Sequence, residues 1–502
     1  MLKKSIALLI LIAAGLASSF AQPGAPGDNK QLPSKVERLN RAPVSNEVIK
    51  AKLPRPMEMR LPNGLTLLVI EQHRLPTVQY SLWFKSGSIA DPADMPGLAS
   101  FTADLLREGT ARRTSTQIAA ELDEIGASFN ADAAFGENLT TVDASGLSQS
   151  ADKLMELMSD IVLNASFPAD ELKKYSQREK ASLIQLRSDP AFLARERFAR
   201  AVYGDFPAAV QAPTAESLTR ATPELLKDFH DKHYTPGNAI LAVAGDLTQA
   251  QATALAKKYF GAWKDHPVPA LKTGDLPAPA KARIFLVDRP DSVQSNIVAG
   301  NLSLRRKDPD FIPLTLTNRI LGGGPAGRLF INLREEKGYT YGAYSRLTSH
   351  DFPGTLAANT EVRNAVTDGS LHELMYEFKR LRDEKVPQSE LDEAKRSIIA
   401  SFALSLENLG GIVNRWMAVK YYGLPLDYWD KYPDEVAKLN ADDVQRTARK
   451  YIDLDHLQLV VVGDAKQVRE AVEKYGSVQM FDADGKPIAP RPQPEAAAPG
   501  TK

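Results

Sequence analysis

The chain has 502 residues, 43% of them hydrophobic, and its 62 lysines and arginines are matched by 62 aspartates and glutamates. A chain with no net charge has no global field to draw it to nucleic acid or to an anionic membrane, so neither partner is expected. The absence of cysteine removes disulfides, thiolate metal ligands and cysteine nucleophiles together, and is compatible with an oxidising compartment.

Met1-Leu2-Lys3-Lys4, the apolar run 5–16 and the small-x-small site Ser19-Phe20-Ala21 predict a signal peptide over residues 1–21. The mature chain is then periplasmic or secreted and leaves the membrane after cleavage. A retained anchor needs a longer apolar span, and no cysteine follows to carry a lipid. Residues 22–44 read as a flexible N-terminal segment and the Pro/Ala-rich residues 487–502 as a disordered tail.

The first structured signal is a hairpin, 58–61 and 65–70 joined at Pro62-Asn63-Gly64. A strand over 78–85 follows, then a helix carrying Ser100 and Asp104, then a helix over 115–125 that stops at Gly126. Helices are also predicted over 148–163 and 169–187. A helix over 223–230, an apolar strand closed by Gly245-Asp246 and a helix over 249–260 complete this stretch, and the same order returns late in the chain. There a helix over 441–450 leads to a strand closed by Gly463-Asp464 and a helix over 465–475. Repetition at matching places argues for duplication. The predicted fold is α+β, with two homologous halves, 45–266 and 281–486, each an antiparallel sheet covered by helices, joined by a proline-rich linker at 267–280.

In the second half, strands are predicted over 282–287 and 295–299 and a helix over 311–321. A helical stretch over 328–336 is stopped by Gly338, and a strand over 339–345 follows. This order brings Arg334, near the helix end, towards Tyr341 on the strand. The stretch 373–384 reads as an amphipathic helix with Leu374, Phe378 and Leu381 inward. The run Gly322-Gly323-Gly324-Pro325-Ala326-Gly327 lacks the Gly-Lys-Ser/Thr of a nucleotide loop, because Arg328-Leu329 follows. His230 and His233 have no ligand partner at a recognisable spacing and read as packing or capping residues.

Taken in order, Leu61-Pro62-Asn63-Gly64-Leu65, Gly87-Ser88, Gly97-Leu98-Ala99, Gly109-Thr110, Ile125-Gly126-Ala127 and Leu333-Arg334-Glu335-Glu336-Lys337-Gly338-Tyr339-Thr340-Tyr341 resemble the insulinase-like M16 peptidases. The resemblance spans about residues 52–475. It implies the M16/LuxS-like metallohydrolase fold, two homologous halves forming a clamshell around a peptide chamber. In the two-chain branch of that family, a zinc-bearing subunit pairs with a similar subunit that lacks zinc.

Within the resemblance, the two metal histidines of the family's H-x-x-E-H helix fall on Ser100 and Asp104, and its base glutamate on Ala103. The third ligand falls between Ser182 and Gln185, or on Glu179 if the register slips. A serine, a methyl group and one carboxylate make no tetrahedral zinc site, so no cofactor is expected in this chain and zinc is expected in a homologous partner subunit. Arg334 and Tyr341 match the pair that the family sets opposite the zinc, where a phenol stabilises the oxyanion of peptide hydrolysis and a guanidinium holds a neighbouring carbonyl. Gly322, Gly323, Gly324 and Gly327 match a loop that contacts substrate or gates the chamber, with a plain turn as the other reading. The expectation is a chain inactive alone that completes a heteromeric peptidase acting on peptides. The alternatives are a peptidase-like structural or peptide-binding protein, and a self-sufficient peptidase using an unconventional metal.

Overall fold

The computed structural model describes residues 53–271, 275–277 and 281–488. The expected signal peptide and N-terminal segment, parts of the linker and residues 489–502 lie outside the described residues. The expected tail begins later than 487, because Pro487 and Ile488 form an edge strand.

The first half runs β1 (Met57–Arg60), β2 (Thr66–Glu71), β3 (Thr77–Phe84), α1 (Leu98–Leu105), α2 (Ser115–Glu124), β4 (Ser128–Asp132) and β5 (Thr140–Leu147). It continues with α3 (Ala151–Leu163), α4 (Ala169–Ser188), α5 (Pro190–Tyr203), α6 (Ala215–Arg220), α7 (Pro223–His233), β6 (Ala239–Gly245) and α8 (Gln249–Phe260). The second half opens with β7 (Arg283–Asp288), β8 (Gln294–Leu302), α9 (Phe311–Leu321), α10 (Arg328–Phe330), a π-helical turn (Ile331–Glu336), β9 (Thr340–Leu347) and β10 (Thr355–Arg363). Then come α11 (Thr367–Asp383), α12 (Gln388–Leu404), α13 (Leu409–Tyr422), α14 (Tyr428–Lys438), α15 (Ala441–Tyr451), β11 (Gln458–Gly463), α16 (Ala465–Glu473), β12 (Val478–Phe481) and β13 (Pro487–Ile488).

Local chemistry explains the boundaries. Gly64, at φ +92°, makes the tight turn of the first hairpin, and the Asn63 amide donates to the carbonyls of Phe260 and Trp263 at 2.7 and 3.0 Å, tying that turn to the end of α8. Thr114 and Thr248 close capping boxes at the starts of α2 and α8.

The sheet orders are β1-β2-β6-β3-β5-β4 and β13-β12-β7-β11-β8-β10-β9. Without the flanking β1, β12 and β13 they are the same pattern, which is the topological form of the repeat read from the sequence. Most neighbours are antiparallel, but β2 with β6, β7 with β11 and β7 with β12 are parallel. The late strand of each half returns to the sheet only after a long helical excursion, and so enters beside the first strand in the same direction.

The central strands are buried on both faces. On β2 and β6, Leu67, Val69, Leu241 and Val243 face the helices of their own half. The alternate residues Leu68, Ile70, Ile240 and Ala242 pack instead on Ile412, Val413 and Trp416 of α13. The second sheet repeats the exchange, with Val460 and Val462 of β11 meeting Phe192, Phe198 and Val202 of α5. Each half therefore lends one helix to cover the far face of the other's sheet, and the described residues form one compact unit. Among the described residues no single helix is long and apolar enough to cross a membrane.

Candidate functional site

Helix α1 starts where the buried Asp91 carboxylate accepts the backbone N–H groups of Gly97 and Ala99 at 2.7 and 2.8 Å. Burial pushes Asp91 up to about 7 against the pull of those N–H donors. On α1, Ala103 is fully buried and Ser100 and Asp104 are half-buried. Asp104 accepts a hydrogen bond from the Tyr175 hydroxyl of α4 at 2.6 Å. Burial raises its carboxyl to about 6, the Tyr175 bond works against the rise, and the nearby charges of Asp132 and Glu179 add to it.

The α4 side chains that act on Asp104 are Tyr175, Arg178 and Glu179, and Glu179 is the acid that the slipped register would use in place of the expected Ser182 to Gln185. Ser182 is exposed and lies seven residues beyond Tyr175, about 10 Å further along a helix that rises 1.5 Å per residue. Gln185 is exposed and further still. His230 and His233 are packed as expected. His230 Nε2 bonds the Val162 carbonyl and His233 Nδ1 the Ser86 hydroxyl, and burial lowers His233 to about 4.

In the second half, the expected helix over 328–336 is a short α-turn followed by a wider π turn, closed by Lys337 N–H to Asn332 O at 3.0 Å and ended by Gly338 at φ +62°. Side chains anchor it. Arg328 makes a two-pronged bond to Glu390 of α12 at 2.7 and 2.8 Å, and the Asn332 amide donates to Glu373 and Glu377 of α11 at 3.0 and 2.8 Å. Arg334 projects from this turn, pairs with Glu335 at 2.7 Å and lies over the Phe330 ring at 4.9 Å. Tyr341 is 91% exposed and its hydroxyl has no partner among the described residues, so it is not a core aromatic. No hydrogen bond joins Arg334 to Tyr341, and the proximity expected from the sequence is not a direct contact.

The glycine run is a close-packed turn. The Ser345 N–H donates to the Gly322 carbonyl at 2.9 Å, and Arg319 donates to the Gly323 carbonyl at 2.6 Å. A Cβ on Gly327 would come 2.7 Å from the Gly322 Cα. Gly322, Gly323, Gly324 and Gly327 hold β9 in place and none of them lines the cavity beside it.

That cavity, of about 780 Å³, has the β8-β9-β10 face as its floor and α5 with the loop Phe135-Gly136-Glu137 as its roof. Alternate residues of β9 (Thr340, Gly342, Tyr344, Arg346) and of β10 (Thr355, Ala357, Asn359, Glu361) form the floor, and Tyr341 stands at its rim. Strand β9 is the last in its sheet, so its outer edge carries unpaired backbone groups. Sequence reading passed over Glu137, Arg195, Arg346 and Glu361. The polar alternation along 340–348 was the available signal for the floor, but the roof comes from the other half.

Fold and site together define a duplicated two-sheet protein of metallopeptidase type whose own metal position is occupied by other chemistry. The insulinase (peptidase family M16) model matches residues 67–208, and the peptidase M16 inactive domain model matches residues 220–398. The solved peptidase M16 inactive domain from Pseudomonas fluorescens is 30% identical, with a TM-score of 0.77 over 82% of this chain and 98% of that one. A protease from Helicobacter pylori, 20% identical, shares the fold with a TM-score of 0.75 over 82% of this chain and 100% of that one. A Rickettsia felis protein named as an uncharacterized zinc protease is 28% identical over 401 residues, 78% of this chain and 93% of its own length. The chain belongs to the M16 peptidase family.

Zinc does not fit the donors on α1. A carboxylate already bonded to a phenol, a serine and a buried methyl group supply no imidazole, and Ala103 accepts no proton. Among the described residues no group of three or more His, Asp or Glu side chains is placed to hold a metal.

Proposed function

We propose that this chain is an exported, periplasmic or secreted, zinc-lacking subunit that completes the peptide chamber of a zinc-bearing M16 partner. The observation that carries this reading is Tyr341, a fully presented phenol without an internal partner, on the free edge strand of a sheet that borders a cavity. A peptide laid along β9 gains backbone hydrogen bonds by strand addition, and the Tyr341 hydroxyl then donates to the oxygen on which charge develops when the peptide bond is attacked. Arg334, half-exposed and held by its neighbour Glu335 and the Phe330 ring, exchanges that exposed ion pair for a substrate carbonyl at little cost. Metal and general base come from the partner. In the reconstituted pair, Tyr341→Phe lowers kcat by roughly ten- to a thousandfold with association unchanged, and Arg334→Ala raises KM as well.

The second reading, a peptide-holding protein without a catalytic role, is favoured by the Arg334–Glu335 pair, which is what a surface arginine balancing its neighbour would make. Wild-type kinetics for both variants would leave that reading standing.

A further inference from the structure

The cavity above β9 and β10 is lined by two guanidinium groups that nothing among the described residues neutralises by contact. Arg195 comes from α5 in the roof and Arg346 from β9 in the floor, so the two halves each deliver one to the same space. Among the described residues neither makes a hydrogen bond or an ion pair, in contrast to Arg113, paired with Glu121, Glu156 and Asp160, and Arg328, paired with Glu390.

The cavity also holds two carboxylates, and their positions matter. Glu361 sits in the irregularity of the β9–β10 ladder between Thr360, opposite Ala343, and Val362, opposite Thr340, so it belongs to the Tyr341 end. Arg346 is opposite Ala357, five residues from Tyr341 and about 17 Å away along an extended strand. Glu137 feels the charge of Arg346 and makes no ion pair among the described residues; burial and Asp132 outweigh the pull of Arg346 and hold its carboxyl above the ordinary range, which weakens it as a competitor for the guanidinium. His350, beside Arg346, is held neutral by burial, with Asp351 opposing and Arg346 reinforcing that shift.

We propose that this cavity takes a carboxylate of the bound peptide, held between Arg195 and Arg346 about five residues from the position addressed by Tyr341. Guanidinium groups presented to one cavity from its roof and its floor suit a planar carboxylate, which accepts two charge-assisted hydrogen bonds. The chamber thereby prefers peptides with an acidic residue or a free C-terminus at that distance. This inference rests on the peptide-chamber reading above and adds a substrate class to it.

The test is fluorescence anisotropy with the full chain and three labelled decapeptides of extended Ser/Thr/Ala sequence. One has a central aspartate and an amidated C-terminus, one has asparagine in its place and an amidated C-terminus, and one has that asparagine with a free C-terminal carboxylate. The aspartate or the free-acid peptide should bind roughly ten- to a hundredfold more tightly than the amidated asparagine peptide, and whichever does so identifies the source of the carboxylate. Arg346→Gln and Arg195→Gln should each remove most of that preference and leave the neutral peptide unchanged. Both positions are exposed and unpaired, so circular dichroism should match wild type. Equal affinity for all three peptides would overturn the charge preference and leave the peptide chamber standing, and a preference that survives both substitutions would overturn its assignment to Arg195 and Arg346. No binding of any of the three would overturn this inference and the peptide-holding role together.

Discussion

Replacing Asp104 with asparagine isolates the electrostatic cost of the chemistry that stands where a metal ligand is expected. Asparagine keeps the shape of the side chain and an oxygen that accepts from the Tyr175 hydroxyl, which now lies 2.6 Å from Oδ2. The carboxyl rises from 3.8 to about 6 on folding, chiefly through burial. Because the folded value is the higher one, the native state binds more protons than the unfolded chain between pH 4 and 6, and stability falls as pH rises through that window. The full shift corresponds to about 3 kcal/mol, and solvent reaching the half-buried group trims this to about 1–3 kcal/mol. Asp104→Asn should therefore match wild type at pH 4, where both side chains are neutral, and be more stable by that amount at pH 7.5. Urea unfolding of both proteins at the two pH values measures it, and the contributions of Asp91 and Glu137, whose carboxyls are also raised, cancel in the difference. Parallel pH profiles for the two proteins would refute a buried, ionised Asp104.

Two other outcomes follow from the geometry. The isolated chain should carry no stoichiometric zinc by elemental analysis and cleave no fluorogenic peptide, whereas one tightly held, chelator-sensitive zinc per chain would contradict the reading of α1. Trp416→Ala removes a fully buried side chain at the junction of α13 with the first sheet, together with its hydrogen bond to the Pro54 carbonyl at 2.8 Å. It should cost about 3–5 kcal/mol and lower the unfolding midpoint of both halves, and loss of protease protection confined to the second half would refute the coupling.

By itself the sequence determined many of the elements, their repetition and the lack of imidazole on α1, because each is written in local chemistry, whereas β4, β5, α5, β10 and the run α12 to α14 went unread. The turn at Asn63-Gly64, the stop at Gly338, the inward Leu374, Phe378 and Leu381 of α11, and the serine, alanine and aspartate on one face of α1 need no distant partner to be recognised. It was less informative where a residue's meaning depends on what crosses over from elsewhere. The run Ala239–Gly245 is apolar at every position, which signals burial on both faces. That α13 supplies the second cover, from about 170 residues downstream, is a matter of long-range packing with no counterpart in local periodicity. The same exchange sets α5 over the second sheet, and with it Arg195 into the cavity that Arg346 also lines. Likewise the α4 side chains that reach Asp104, namely Tyr175, Arg178 and Glu179, are fixed by where α4 lies against α1. Whether Tyr341 is a core aromatic or a presented phenol was decided only by its place at the rim of an edge strand, since the residue has the same identity in both cases and only the neighbouring strand's absence on one side leaves its hydroxyl free.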